Sequence, residues 1–234
     1  VASHDLQEPL RNILSFIDRL KLKGVVSLNE NGKIYFERIE NSALRMRSLI
    51  SDLLSYSRTG NISSLTTQVD LNNVLTETLS ALEVAIQQKN ALITHTELPI
   101  VEGVEVQLQQ LFQNIISNSL KFSDPDRAPV IRITSEYVNA LEIETGEIPK
   151  ANSKFYCRIS FADNGVGFED KYAEKIFQIF QRLHGRSEYE GTGIGLAICK
   201  KIADNHHGTI IANAKPGEGA TFIITLPLRQ NFGK

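Results

Sequence analysis

Four groups of residues have the types and spacing to do chemistry. His4 stands beside an acid, Asp5, in a stretch of helical periodicity. On a helical wheel the apolar stripe Leu6, Leu10, Ile13, Ile17 and Leu20 centres almost opposite His4, which places the imidazole on the solvent face. An exposed imidazole titrates near neutral pH and suits proton or group transfer. Standing alone, it is more often an ordinary surface residue near a kink, here the one made by Pro9. The second group is Asn114, Asn118 and Lys121, whose spacings of four and three share one helix stripe. Asn is a poor helix former. Two of them beside a Lys suit oxygen ligands for Mg²⁺ with an ammonium for phosphate, or else a plain solvated face.

The third group ends an alternating run, Phe155, Cys157, Ile159 and Phe161, in Asp163-Asn164-Gly165-Val166-Gly167-Phe168. An acid at a strand end can accept a hydrogen bond while the glycines let backbone approach a ligand. The fourth is Gly191-Thr192-Gly193-Ile194-Gly195-Leu196, which opens a helix and can turn its amides toward phosphate. A further glycine turn, Gly217-Glu218-Gly219-Ala220-Thr221, precedes the last strand. No Lys follows the glycines, so none of these is a Walker P-loop, and no strand leads directly into Gly191 as a dinucleotide fingerprint requires.

These groups need elements to hold them. Residues 1–58 read as two amphipathic helices. The second carries Ile34, Ile39, Met46, Leu49, Ile50, Leu53 and Leu54, and the break between them spans Gly24 to Gly32. One antiparallel hairpin covers its own stripes poorly, and pairing with a copy of itself makes a four-helix bundle. The polar stretch 59–67 is a linker. From residue 68 to 234 the pattern alternates. Asp70 caps a helix bearing Leu71, Val74, Leu75, Leu79 and Leu82. A strand follows near Leu92–Leu98, then a helix over Val104–Phe122, strands at Val130–Val138 and Phe155–Ala162, a helix over Gly193–His206, and closing strands at Gly208–Ala214 and Ala220–Leu226. The fold class is α+β: a helical hairpin followed by a mixed α/β layer.

Composition narrows the functions. The 234 residues are 41% apolar and carry a net charge of −2 with both signs dispersed, which excludes a nucleic-acid footprint. Cys157 and Cys199 are too few for a disulfide framework and read as buried small hydrophobes. No apolar run approaches the roughly 20 residues that span a bilayer. The expectation is a soluble, cytoplasmic fragment with no membrane contact of its own, opening inside a helix without a start signal.

Together these residues resemble the sensor histidine kinases, over nearly the whole chain. Ser3-His4-Asp5-Leu6-Gln7-Glu8-Pro9-Leu10-Arg11 resembles the phosphoacceptor box, in wording like that of phytochrome-type and other PAS- or GAF-linked kinases. Asn114 to Phe122 resembles the N box, Asp163 to Gly167 the first glycine box, and Phe177 with Phe180 the F box. Gly191 to Gly195 and Gly217 to Thr221 are similar to the second and third glycine boxes. The resemblance implies a dimeric four-helix bundle joined to a Bergerat-type ATP-binding sandwich. It implies ATP and Mg²⁺ as cofactors, with Asp163 accepting the adenine amino group, Asn118 holding the metal, Asn114 supporting it, and Lys121 and Arg182 facing phosphate. Phe122, Gly165, Gly167, Gly191, Thr192, Gly193, Gly195, Leu196 and Thr221 would complete the nucleotide site, and Glu169 to Glu190 would form a lid. His4 would take the phosphoryl group with Asp5 orienting it, and a response regulator receiver domain would receive it. Two features depart from the commoner pattern. Asp5 stands where Glu is usual, and Glu8 stands where phosphatase-competent kinases carry Thr or Asn. A related clamp ATPase of the gyrase and Hsp90 type would need a Glu where Asn114 stands, and a third reading is a nucleotide-binding scaffold without activity.

Overall fold

Helices α1 (Ala2–Leu22) and α2 (Glu30–Arg58) form the predicted antiparallel pair. The computed structural model describes residues 2–22, 30–58, 66–139, 153, 155–183 and 191–229. Of His4 and Asp5 only the helical backbone falls within that description. Helix α2 takes in Asn31 and Gly32, which the sequence places in the break. Amides of a first turn have no partner inside the helix in any case, so weak helix formers are tolerated there. Leu10, Ile17 and Ala43 are sealed between the two helices, with Leu14, Phe36 and Ile50 against them. Much of the remaining stripe stays wet: Ile13, Leu20, Ile34, Ile39, Met46 and Leu53 are each more than 40% exposed.

The α/β portion begins with β1 (Thr67–Asp70), which pairs antiparallel with β3 (Ile100–Gly103) in a two-stranded ribbon. Asp70 ends β1 and caps α3 (Leu71–Ala81), its side chain accepting from the Asn72 amide at 2.8 Å. The predicted helix stops at Ala81, and α4 (Glu83–Lys89) follows after Leu82. The main sheet has the order β2 (Leu92–His95), β4 (Val130–Asn139), β5 (Phe155–Asp163), β7 (Gly219–Pro227), β6 (Thr209–Lys215). Strand β2 runs parallel to β4, and the other pairs are antiparallel. Strand β2 is shorter than predicted, ending at His95.

Helices α5 (Glu105–Lys121) and α6 (Gly195–Asn205) share one buried cluster with the sheet. On α5 the buried arc is Leu108, Leu111, Phe112, Ile115, Ile116 and Leu120. Phe112 meets Phe161 of β5 edge to face at 5.0 Å. This packing fixes α5 against the central strand, and so fixes whatever α5 carries on its other face. Cys157 and Cys199 lie inside, and burial pushes both thiols up to about 12, far from reactive thiolates. Among the described residues no helix is long and apolar enough to cross a membrane.

His206 closes the end of α6. It is buried, and its Nδ1 lies 2.8 Å from the Ile202 carbonyl while Nε2 accepts from the Val104 amide at 3.0 Å. A carbonyl can only accept and an amide N–H can only donate, so the tautomer is fixed as Nδ1–H. A second proton has nowhere to go. Burial lowers the pKa of His206 from its ordinary 6.5, with the neighbouring His207 adding to the effect. Below that ordinary value the unfolded chain binds a proton that the folded chain resists. His206 therefore contributes stability that is complete above about pH 6.5 and is lost as pH falls toward its folded pKa. Urea unfolding between pH 8 and pH 5 is expected to show this loss, and the His206→Gln protein is expected to show a flatter profile.

Candidate functional site

Asp163 is the last residue of β5, in the middle of the sheet. Its Oδ1 accepts from the Gly165 amide at 2.9 Å and the Ala220 amide at 3.2 Å, and its Oδ2 from Ser119 Oγ at 2.9 Å. Burial raises its pKa above the ordinary carboxylate value, against these three hydrogen bonds. The donors come from three places: the first glycine turn, the strand after the third, and the buried face of α5. Ser119 is 3% exposed amid the apolar arc of α5. A buried hydroxyl needs a partner, and Asp163 supplies it; the sequence reading gave Ser119 no role of its own.

Two glycines make the approach possible. A Cβ at Gly219 would lie 1.9 Å from the Asp163 carbonyl, and one at Gly167 would lie 2.1 Å from the Lys215 carbonyl. Both have positive φ, 105° and 62°. The turn Lys215–Gly219 thus lies directly on the Asp163–Gly167 turn, with Gly217 N–H donating to the Val166 carbonyl at 2.8 Å. Arg127 ties the pair from outside. Its Nη2 donates to the Gly217 carbonyl at 2.7 Å and the Gly165 carbonyl at 3.2 Å, and its Nε pairs with Asp124. Asn164 pins the same turn to β4, accepting from the Val130 amide at 2.8 Å and donating to the Ala128 carbonyl at 3.1 Å. Nothing in the sequence pattern pointed to Arg127, because its partners are backbone carbonyls remote in the chain.

On α5, Asn114, Asn118 and Lys121 are half-buried and face a cavity beside Asp163. Asn114 donates to the Gly195 carbonyl at 3.2 Å, which joins α5 to the start of α6. The Lys121 ammonium lies against Gly191, where a Cβ would come within 2.6 Å of it, and 4.4 Å over the Phe122 ring. Arg182 donates to the Gly191 carbonyl at 3.0 Å. Phe180 adopts φ +66°, uncommon for a bulky residue, and its amide donates to the Gly193 carbonyl at 2.9 Å.

Of the site residues expected from sequence, Asn114, Asn118, Lys121, Phe122, Asp163, Gly167, Arg182, Gly191, Thr192, Gly193, Gly195 and Leu196 all line this one cavity. Gly165 and Thr221 do not line it. Gly165 acts through its amide on Asp163, and Thr221 pairs with Ala162 and Asn213 within the sheet. The side chains of His4 and Asp5, and residues 184–190 of the expected lid, lie outside the described residues. Among the lining residues that were not foreseen are two polar ones on helices, Gln110 of α5 and Asp52 of α2.

An acceptor at one wall, two cations, two amide side chains and a glycine turn at a helix N-terminus suit an anionic purine nucleotide. The donor set also suits a hard cation, for which Asn118 offers an amide oxygen. Among the described residues no group of three or more His, Cys, Asp or Glu has metal-holding geometry.

Two family models match the chain. One, described as histidine kinase-, DNA gyrase B- and HSP90-like ATPase, covers residues 103–230, and the other, the His Kinase A (phospho-acceptor) domain, covers residues 1–62. The chain is 35% identical over 228 residues to Phytochrome-like protein Cph1 of Synechocystis, covering 97% of this chain but only 28% of that relative. Full-length ShkA in complex with AMPPNP superposes with a TM-score of 0.68 at 24% identity, over 97% of this chain and 44% of that one. The histidine kinase ThkA in complex with response regulator protein TrrA gives a TM-score of 0.60 at 24% identity, over 97% and 60%. At that identity the structures show the shared fold.

Arg127→Ala is expected to cost about 1 kcal/mol of stability, the scale of exposed hydrogen bonds, yet to weaken adenine nucleotide binding several-fold by loosening both turns. Arg127→Lys is expected to recover only part, since a single ammonium does not reproduce the guanidinium fork. Urea unfolding and calorimetric titration of the two variants check this.

Proposed function

The chain belongs to the sensor histidine kinase family, and from that premise we propose that it is the catalytic part of a longer kinase, using ATP to phosphorylate His4. It spans only 28% of the length of its phytochrome-like relative, so activity and partners are inferred for this segment. The observation that carries the reading is the convergence of Asp163, Asn118, Lys121, Arg182 and the Gly191–Gly195 turn on one cavity.

In this reading residues 1–58 form the phosphoacceptor hairpin, 59–67 a linker, and 68–234 the ATP-binding domain. Asp163 accepts from the adenine amino group. The amides of the Gly191–Gly195 turn, Lys121 and Arg182 hold the phosphates, and Asn118, supported by Asn114, holds Mg²⁺. The metal supplies charge neutralisation on the phosphates when bound. An imidazole nitrogen of His4 attacks the γ-phosphorus, the N–P bond forms as the bond to the bridging oxygen breaks, and ADP leaves. Asp5 orients the ring and stabilises the imidazolium. The protein's share is placement and charge neutralisation rather than covalent chemistry. A receiver-domain aspartate of a response regulator then takes the phosphoryl group. The complex of ThkA with TrrA, a response regulator, supports that partner class. In this reading the segment works in the cytoplasm.

Labelled nucleotide tests the chemistry. ATP is expected to leave acid-labile label on the chain, and His4→Gln to abolish the label with ATP affinity intact. GTP is expected to bind at least tenfold more weakly, because its carbonyl would face the Asp163 carboxylate and leave the acceptor position meant for the base without a donor, at about 1–3 kcal/mol. Free phosphate without protein label would indicate a clamp ATPase instead, and neither product a scaffold. Label on the His4→Gln protein would remove His4 from the mechanism.

The hairpin also carries a proposal about assembly. Phe16 is 61% exposed and Tyr35 63%, beside the wet stripe already described. Apolar surface of this extent is unusual on a monomer, and a two-fold pairing of hairpins covers it. Light scattering is expected to give a dimer for the full chain at micromolar concentration. A monomer there would count against the bundle.

A further inference from the structure

One face of α2 is turned to the α/β portion rather than to α1. Leu49, Asp52, Ser55 and Tyr56 occupy it at helical spacing. Leu49 and Tyr56 pack against the large core. Ser55 Oγ accepts from Gln110 Nε2 at 2.6 Å. Lys201 of α6 donates to the Tyr56 carbonyl at 2.5 Å and stands 4.2 Å over the Tyr56 ring. Asp52 reaches furthest. It lines the cavity together with Asn118, Lys121, Arg182 and Gly191, and its Oδ2 accepts from Thr192 Oγ1 at 2.6 Å.

The position is chemically odd for a nucleotide site. Asp163 stands at the Gly165 and Ala220 end, where a carboxylate can pair with a base. Asp52 stands at the Gly191–Gly195 turn, where the phosphates of the proposed substrate would lie. A half-buried carboxylate there is screened less than on an open surface and repels an anion. It also holds the Thr192 hydroxyl and shares the cavity wall with Lys121 and Arg182, the two cations proposed for phosphate.

We propose that Asp52, supplied by the helical hairpin, is an affinity-determining residue of the nucleotide site: while α2 is docked its carboxylate opposes polyphosphate, so that docking of α2 and binding of ATP weaken each other. This rests on the reading of the Gly191–Gly195 turn as the phosphate end. Coupling of this kind is reciprocal, so whatever moves α2 away tightens the site for ATP, and ATP in turn loosens α2. The opposite assignment, Asp52 as a ligand of the nucleotide's metal, predicts the opposite sign.

The full chain is titrated by calorimetry with Mg·ATP, Mg·ADP and adenosine, as wild type, Asp52→Asn and Asp52→Ala. Asp52→Asn keeps an oxygen for Thr192 and removes only the charge. ATP is expected to tighten about tenfold, within the range typical of coupling between sites, ADP less, and adenosine not at all. Lys201→Met, which releases Tyr56 outside the cavity, is expected to tighten ATP in the same direction by less. ATP affinity unchanged or weakened in both Asp52 variants, or one equal shift for all three ligands, would overturn the proposal. Wild-type autophosphorylation measured alongside separates the two readings: label on the wild type without tightening in the variants rejects only the role of Asp52, whereas a wild type that neither binds ATP nor takes label rejects the kinase reading.

Discussion

A carboxylate taken out of water needs donors, and Asp163 draws them from three separate pieces of chain. Gly165 belongs to the turn after β5, Ala220 to β7, and Ser119 to α5. Satisfying one buried charge therefore brings together two glycine turns and a helix that are remote in sequence. Burial nevertheless leaves the Asp163 pKa raised. On the proposed reading, the acceptor capacity that these three donors leave free is what the adenine amino group would use. Arg127 and Asn164 hold the same turns from outside, through backbone atoms only.

Helix α2 has three jobs on three faces. One packs on α1 through Ala43 and Ile50. A second meets the α/β portion through Leu49, Asp52, Ser55 and Tyr56. The third, with Ile34, Ile39 and Met46, remains exposed. A helix only about 10 Å across cannot serve all three as a rigid scaffold without linking them. Contact at the second face puts a carboxylate into the cavity, so the state of the hairpin is felt at the nucleotide end of the molecule.

Much of this was legible in the sequence where the pattern is local and long. The stripe of α5, the cap at Asp70 and the strand alternation of Phe155 to Phe161 each depend on neighbours within a few residues. The ends came out within one or two residues for α5 and β7. The misses were short or non-local. Strands β1 and β3 have four residues each and exist because they pair with one another. Thr221 sits in a glycine-rich turn sequence, yet the sheet register points it away from the cavity.

The sequence by itself determined the chemistry on offer: which residues are acids, amides and cations, and which glycines permit a turn of chain to lie against another. These are properties of residue type and spacing, so no fold is needed to read them. Only the tertiary structure decided which groups share a cavity. Asp163 stands out locally, at a strand end before two glycines, whereas nothing local marks Asp52 on its helix. Packing of α5 against β5 set one at the Gly165 turn, and docking of α2 on α6 set the other at Thr192. Long-range contacts of that kind are fixed by the shape of the buried core, which depends on every element at once.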